Sequence, residues 1–336
     1  MNWEMLGHEW AVSLLKEHLT QNRLRQAYLF TGPPGVGRRT LALRLAQALN
    51  CPQPLAPGEP CLTCRTCKQI ERMQHPDLAV VQADQRGGTL KVDQIRLLQR
   101  SLSLAPYEAR YRIGLFLHFE EAHASAQNAL LKTLEEPPPQ VVLLLTAQTA
   151  EGLLPTIVSR CEVLRLRALP AGQVSLGLQQ RWDLPAEQAQ LLGPVSGGRP
   201  GYAVRLHQDP ESMEQRQDWL DDMRRLVGAS RAERFAYAET ITRWKDKEKS
   251  LEKEKLRETL LVWISFWRDI FLRAADRQAP ITNPDRSQPI DDLAARCGLH
   301  EAHSALSALE HTLDLVNGNV NPRLAVEVLM LDLPFC

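Results

Sequence analysis

A chain of 336 residues is longer than a single hydrophobic core usually serves, so two or three domains are expected. Its 44% hydrophobic and 24% charged residues are ordinary for a globular protein, and no apolar run approaches the roughly 18 residues that span a bilayer, which sets aside a membrane role. The 40 basic and 40 acidic residues cancel, so no global field draws the chain to nucleic acid. The segment from Met1 to Glu9 is acidic and polar where a secretory signal would be basic and then apolar, which points to the cytoplasm.

Trp10, Leu14, Leu15 and Leu19 recur at helical spacing, and Ala27 to Thr31 reads as a short buried strand. A glycine-rich loop follows at once, then a helix from Thr40 to Leu49 that ends at Cys51 and a proline-rich stretch. Next come an apolar strand at Leu78 to Val81, a helix from about Val92 and a strand from Arg112 to Phe119. A helix at Ala124 to Glu136 stops at three prolines, after which Val141 to Leu145 is the most apolar strand in the chain, as a central parallel strand should be. Strands alternating with helices predict an α/β domain with a parallel sheet.

From about Pro170 the pattern turns helical, with breaks expected at Gly193 to Gly201 and at Gln208 to Met213. The charged stretch from Lys245 to Arg257 and the apolar one from Leu260 to Leu272 belong to this all-helical part. Trp263, Phe266, Trp267 and Ile270 form a stripe that serves either a core or an interface.

The loop Gly32-Pro33-Pro34-Gly35-Val36-Gly37-Arg38-Arg39-Thr40 lies between strand and helix, the setting in which a G-x-x-x-x-G spacing cradles phosphate on backbone N–H groups. A working loop continues with a lysine for the β and γ phosphates and a hydroxyl for Mg²⁺. Here those two positions hold Arg38 and Arg39. A forked guanidinium does not replace a compact ammonium, and Thr40, one residue late on a helix, is turned by about 100° from the metal direction. ATP is therefore not expected to bind productively.

The strand from Leu115 ends in Glu120-Glu121, where an aspartate for Mg²⁺ and a glutamate for water would stand. Glu120 carries one methylene too many, a displacement of about 1.5 Å that weakens octahedral Mg²⁺ coordination. Two readings stay open for this pair, a degenerate acidic site and two solvated acids.

Cys51, Cys61, Cys64 and Cys67 are spaced C-x₉-C-x₂-C-x₂-C, four of the seven cysteines within seventeen residues. In a cytosolic chain such a cluster reads as a closed structural zinc site, with no open position for catalysis. Cys161, Cys297 and Cys336 are scattered, structural or incidental.

The run Gln127-Asn128-Ala129-Leu130-Leu131-Lys132-Thr133-Leu134-Glu135-Glu136-Pro137-Pro138 and the triplet Ser159-Arg160-Cys161, taken with the altered loop, closely resemble the clamp-loader subunits of bacterial DNA polymerase III, of the AAA+ class. Among them the delta-prime branch matches best. The likeness is close over residues 1–205 and looser beyond, where Asn319-Val320-Asn321-Pro322-Arg323 is also similar to the family. It implies an AAA+ P-loop domain at 1–168 with the zinc module at 51–67, a helical lid at 169–208 and an all-helical collar at 209–336.

The resemblance further implies that Arg160 acts in trans as an arginine finger, in the ATP site of a neighbour. The implied partners are the ATPase (gamma/tau) and delta subunits in a ring of five, with the sliding clamp and primer-template DNA reached through the complex. Thr146 and Arg199 fall at the family's two sensor positions. Two other functions are weighed beside this one. An ATP-hydrolysing motor subunit would have to use Arg38 in the lysine's place. A zinc-dependent nucleic-acid adaptor is disfavoured by zero net charge and by a cysteine cluster with no interleaved basic residues beyond Arg65 and Lys68.

Overall fold

A computed structural model describes residues 3–85, 88–244, 249–318 and 320–335. Asn319, Cys336, the start of the segment from Met1 and the first four residues of the stretch from Lys245 lie outside the described residues. The chain divides into two compact units, Met1–Gln173 with Arg199–Tyr202, and Val174–Gly198 with Ala203–Cys336.

Five parallel strands form the sheet of the first unit: β1 (Ala27–Thr31), β2 (Leu78–Val81), β3 (Arg112–Phe116), β4 (Val141–Ala147) and β5 (Glu162–Arg165), in the order β2-β3-β4-β1-β5. All seven residues of β4 are buried, because helices cover both faces of a parallel sheet. Side chains alternate between those faces with the strand period of two. Tyr28, Phe30, Ile113, Leu115, Val142 and Leu144 pack on one side, under α1 (Glu9–Thr20) and α2 (Arg38–Asn50). Leu29, Phe116, Val141, Leu143 and Leu145 pack on the other, under α4 (Val92–Leu102) and α5 (Ala124–Glu135). Truncating a fully buried member such as Leu144 to alanine is worth about 2–5 kcal/mol.

Several elements depart from expectation. In α1 the buried face is Ala11, Val12 and Leu15, and Trp10 is 51% exposed, so the helix turns its aromatic residue outward. The helix after the glycine-rich loop begins at Arg38, two residues before the position expected from Thr40. β3 stops at Phe116: His118 takes a left-handed backbone (φ 53°) and turns the chain into a 3₁₀ segment, Phe119–Glu121. β5, α3 (Arg65–Glu71) and the single turn α6 (Pro155–Val158) were not expected from the residue pattern.

The second unit is helical: α7 (Ala171–Trp182) and α9 (Pro200–Gln208), whose first turns belong to the first unit, with α8 (Ala186–Val195), α10 (Pro210–Val227), α11 (Arg231–Thr242), α12 (Lys249–Ala275), α13 (Ser287–Asn317) and α14 (Pro322–Asp332). The break expected at Gln208 to Met213 shrinks to Asp209, since Pro210 occupies the first helical position, where its missing N–H is harmless. Trp263, Phe266, Trp267 and Ile270 are all at most 1% exposed and form the core of this unit. The indole of Trp263 donates to the carbonyl of Trp219 at 2.7 Å, which removes the penalty of burying its N–H. Among the described residues, no helix is long and apolar enough to cross a membrane.

Candidate functional site

Because every strand pairing is parallel, the carboxyl ends of β1, β3, β4 and β5 gather at one edge of the sheet. The glycine-rich loop leaves β1 at that edge. Gly32 takes φ 144°, and a Cβ there would lie 2.3 Å from the carbonyl oxygen of Leu166, so only glycine lets the loop pass β5. Gly35 (φ 83°) is crowded by Tyr202, and its carbonyl accepts from Gly201 N at 2.8 Å. The segment containing Arg199 therefore packs on the loop, while the Arg199 guanidinium stacks over the Tyr202 ring at 4.4 Å. His8 closes the other side, with Nε2 donating to Val36 O at 3.0 Å, and burial pushes its pKa down. The sequence reading missed His8. A lone histidine ahead of a helix carries no spacing signal.

Gly37 caps α2 with no side-chain cap, and the first turn holds no acidic residue, so the helix N-terminus keeps free N–H groups and a partial positive charge. Arg38 opens that helix and its side chain is 6% exposed. Arg39 and Thr40 face solvent. The Arg38 side chain fits this buried space because Glu120, in the 3₁₀ turn after β3, meets it: Nη1 lies 3.9 Å from Glu120 Oε1. Both Glu120 carboxylate oxygens and Arg38 Nη1 are buried without a hydrogen bond. His118 Nδ1 is 3.8 Å from the same oxygen. Glu120 is 18% exposed, which overturns its reading as a solvated acid: the parallel sheet brings it to the same edge as the loop. Desolvation lowers the Arg38 pKa, and Glu120 opposes the shift.

Thr146, at the end of β4, is buried. Its hydroxyl accepts from His118 N at 3.0 Å and donates to Phe116 O at 3.3 Å, which ties the turn after β3 to β4.

Arg160 follows α6 and remains partly exposed. Its Nη1 donates to Thr156 O at 2.8 Å, and its Nη2 pairs with Glu135 Oε1, at the end of α5, at 2.6 Å. The two sequence runs that stood out, the one containing Glu135 and Ser159-Arg160-Cys161, thus meet in space. Ser159 Oγ donates to Thr156 O at 3.3 Å, and burial pushes the Cys161 thiol up to about 12.

The sulfurs of Cys51, Cys61, Cys64 and Cys67 all lie within 4.8 Å of one another. Cys51 and Cys61 are 3.5 Å apart, Cys61 and Cys67 4.0 Å. Four thiolates about 2.3 Å from one tetrahedral ion have edges of about 3.8 Å, so the donor set and its spacing fit a four-thiolate metal. Burial opposes ionisation of Cys61, but N–H donors from Cys64 and Thr63, with the neighbouring thiols, bring its pKa down to about 6. Burial raises the pKa of Cys51 and Cys67. The module is anchored from α2: Gln47 Nε2 donates to Cys67 O at 2.8 Å, and Arg44 pairs with Glu71 at 2.5 Å. Of the other described cysteines, Cys161 is a free thiol and Cys297 is disulfide-bonded.

The site is thus a glycine loop after the first strand of a parallel α/β sheet, with a helix opening on it and the buried Arg38–Glu120 contact beside it. The family model described as "DNA polymerase III, delta subunit" matches residues 7–170, and that for the C-terminal part of the delta subunit matches residues 232–334. DNA polymerase III subunit delta' of Bacillus subtilis is 29% identical over 320 residues, covering 95% of this chain and 94% of that protein. The delta' subunit of Pseudomonas aeruginosa is 37% identical over 203 residues, covering 60% of this chain and 61% of that one. Subunit tau/gamma of Haemophilus influenzae is 37% identical over 192 residues, 56% of this chain and 27% of that one. The chain belongs to the DNA polymerase III delta-prime subunit family.

Proposed function

We propose that this chain is the non-hydrolysing delta-prime subunit of a clamp loader of the AAA+ class, which helps place the sliding clamp on primed DNA and lends Arg160 to the ATP site of a neighbour. One observation carries the reading: Arg38 and Glu120, at the positions that would hold phosphate and Mg²⁺, pair with each other. Arg39 and Thr40 point to solvent and supply no metal ligand there. Glu121 alone lacks the aspartate partner that hydrolysis needs. Arg160, by contrast, stays accessible beside Glu135, as a group acting on another subunit must.

In this reading the partners are gamma/tau ATPase and delta subunits in a ring of five. The P-loop part (1–168) carries the finger, 169–208 forms a lid, and 209–336 forms the collar that joins the subunits. The four cysteines hold a structural zinc ion that folds a loop too small for its own core.

The likeness to tau/gamma subunits favours a second reading, a motor subunit that turns over ATP itself. Titration calorimetry and steady-state turnover with Mg-ATP separate the two. The isolated chain is expected to show no turnover, whereas tight Mg-ATP binding with steady hydrolysis would favour the motor. Affinity capture from a cell extract tests the assembly: recovery of DNA polymerase III subunits is expected, and recovery without them would contradict the proposal.

A further inference from the structure

Three positive features converge at the start of α2: the uncapped helix N-terminus, the glycine-loop amides and the buried Arg38 guanidinium. Glu120 is the acid that meets Arg38 there. Its contact with Arg38, at 3.9 Å, is too long for a hydrogen bond, and the two oxygens and Nη1 have no other hydrogen-bond partner. A buried ion pair this poorly bonded contributes little net attraction, yet removing one member leaves the other as an uncompensated buried charge.

We propose that Glu120 is a built-in occupant of an anion site: its carboxylate holds Arg38 where a phosphate group would sit, and the loop behind it is a latent site for inorganic phosphate or pyrophosphate. Glu120 thus determines that the loop is closed to anions, and not merely that it lacks a metal ligand. A guanidinium freed of Glu120 presents the fork that suits phosphate oxygens, beside N–H donors already aimed by the helix. His118, 3.8 Å from Glu120, lies close enough to add a further donor. The inference deepens the proposal that the loop does not process ATP, and it fails separately from it. Hydrolysis of ATP by the unaltered chain would end that proposal. Absence of phosphate binding after removal of the Glu120 charge would end only this one.

The test is calorimetric titration of the full chain with pyrophosphate and with phosphate at fixed ionic strength. Glu120→Gln is expected to bind pyrophosphate at least tenfold more tightly than the unaltered chain, and Arg38→Met in the same background is expected to abolish the gain. Should Glu120→Gln require the anion to fold, recovery of its circular-dichroism spectrum on adding pyrophosphate supports the site. Glu120→Asp, which keeps the charge but withdraws it from Arg38, provides a milder variant whose melting temperature should rise with pyrophosphate more than that of the unaltered chain. Equal binding by folded Glu120→Gln and the unaltered chain, a gain that survives Arg38→Met, or equal melting shifts for Glu120→Asp would overturn the proposal.

Discussion

The guanidinium of Arg160 meets the carboxylate of Glu135 at 2.6 Å and joins the turn after α6 to the last residue of α5. Their side chains are 35% and 49% exposed, so water screens the pair and its contribution to folding is small, about 0.5 kcal/mol or less. Glu135→Gln is expected to leave the urea midpoint within that margin. A loss above about 2 kcal/mol would show that the contact is a structural brace and that Arg160 is not free to serve another subunit.

Metal removal gives a second expectation. The purified chain should carry one zinc ion, released by a strong chelator, after which four additional thiols react with a chromogenic disulfide. Cys67→Ser, at the most buried of the four positions, should lose the ion outright. Most of the far-ultraviolet helical signal should remain, because the only helix within or directly after the cluster is the seven-residue α3. A chain with no bound metal and freely reactive thiols would remove the zinc assignment.

Arg234, 3% exposed, pairs with no carboxylate among the described residues. It donates to the carbonyls of Leu226 and Val227 at the end of α10 and to those of Met330, Leu333 and Pro334 at and just after the end of α14. Helix C-termini offer unpaired carbonyls and a partial negative charge, so one guanidinium satisfies two helix ends together. Arg234→Met is expected to destabilise the chain by about 3–5 kcal/mol in denaturant unfolding, with Arg234→Lys recovering only part of that loss because the fork is gone.

The carboxylate of Asp77 is buried and accepts from the backbone N–H groups of Tyr107, Glu108 and Ala109 at 2.6, 2.9 and 2.9 Å. Burial alone would raise its pKa, but these donors outweigh it and the net shift is downward. A depressed carboxylate contributes stability that is fully present above its unfolded pKa of about 3.9 and is lost as pH falls through the lower folded value. Asp77→Asn should therefore lower stability at pH 7 and flatten the acid limb of the stability curve below about pH 4. An unchanged acid limb would mean that the three donors do not set the shift.

The parallel sheet was legible because β1, β2 and β4 are apolar runs bounded by turn signals, and β4 is uniformly so. The cysteine spacing led directly to the cluster. Two contacts were not legible in the sequence, for physical reasons. Glu120 looks solvated beside Glu121, yet it reaches Arg38, 82 positions earlier in the chain, only because parallel pairing puts the ends of β1 and β3 at one edge. The partner of Arg160 was hidden in the same way, since Glu135 read as part of a helix end. β5 escaped notice because its four residues, Glu162 to Arg165, are only two apolar residues flanked by charges at a sheet edge and lack a buried-strand pattern.

Under the proposed function, this chain has lost the half of an ATP site that would serve itself and kept the half that serves a neighbour. The most direct measurement is the DNA-stimulated ATPase of a complex reconstituted from gamma/tau, delta and this chain, with and without Arg160→Ala. Arginine fingers are worth on the order of 10³ to 10⁵ in rate at the site they serve. The mutant complex should assemble normally, and its ATPase should be clearly depressed. An assembled mutant complex with an undiminished rate would contradict the proposal.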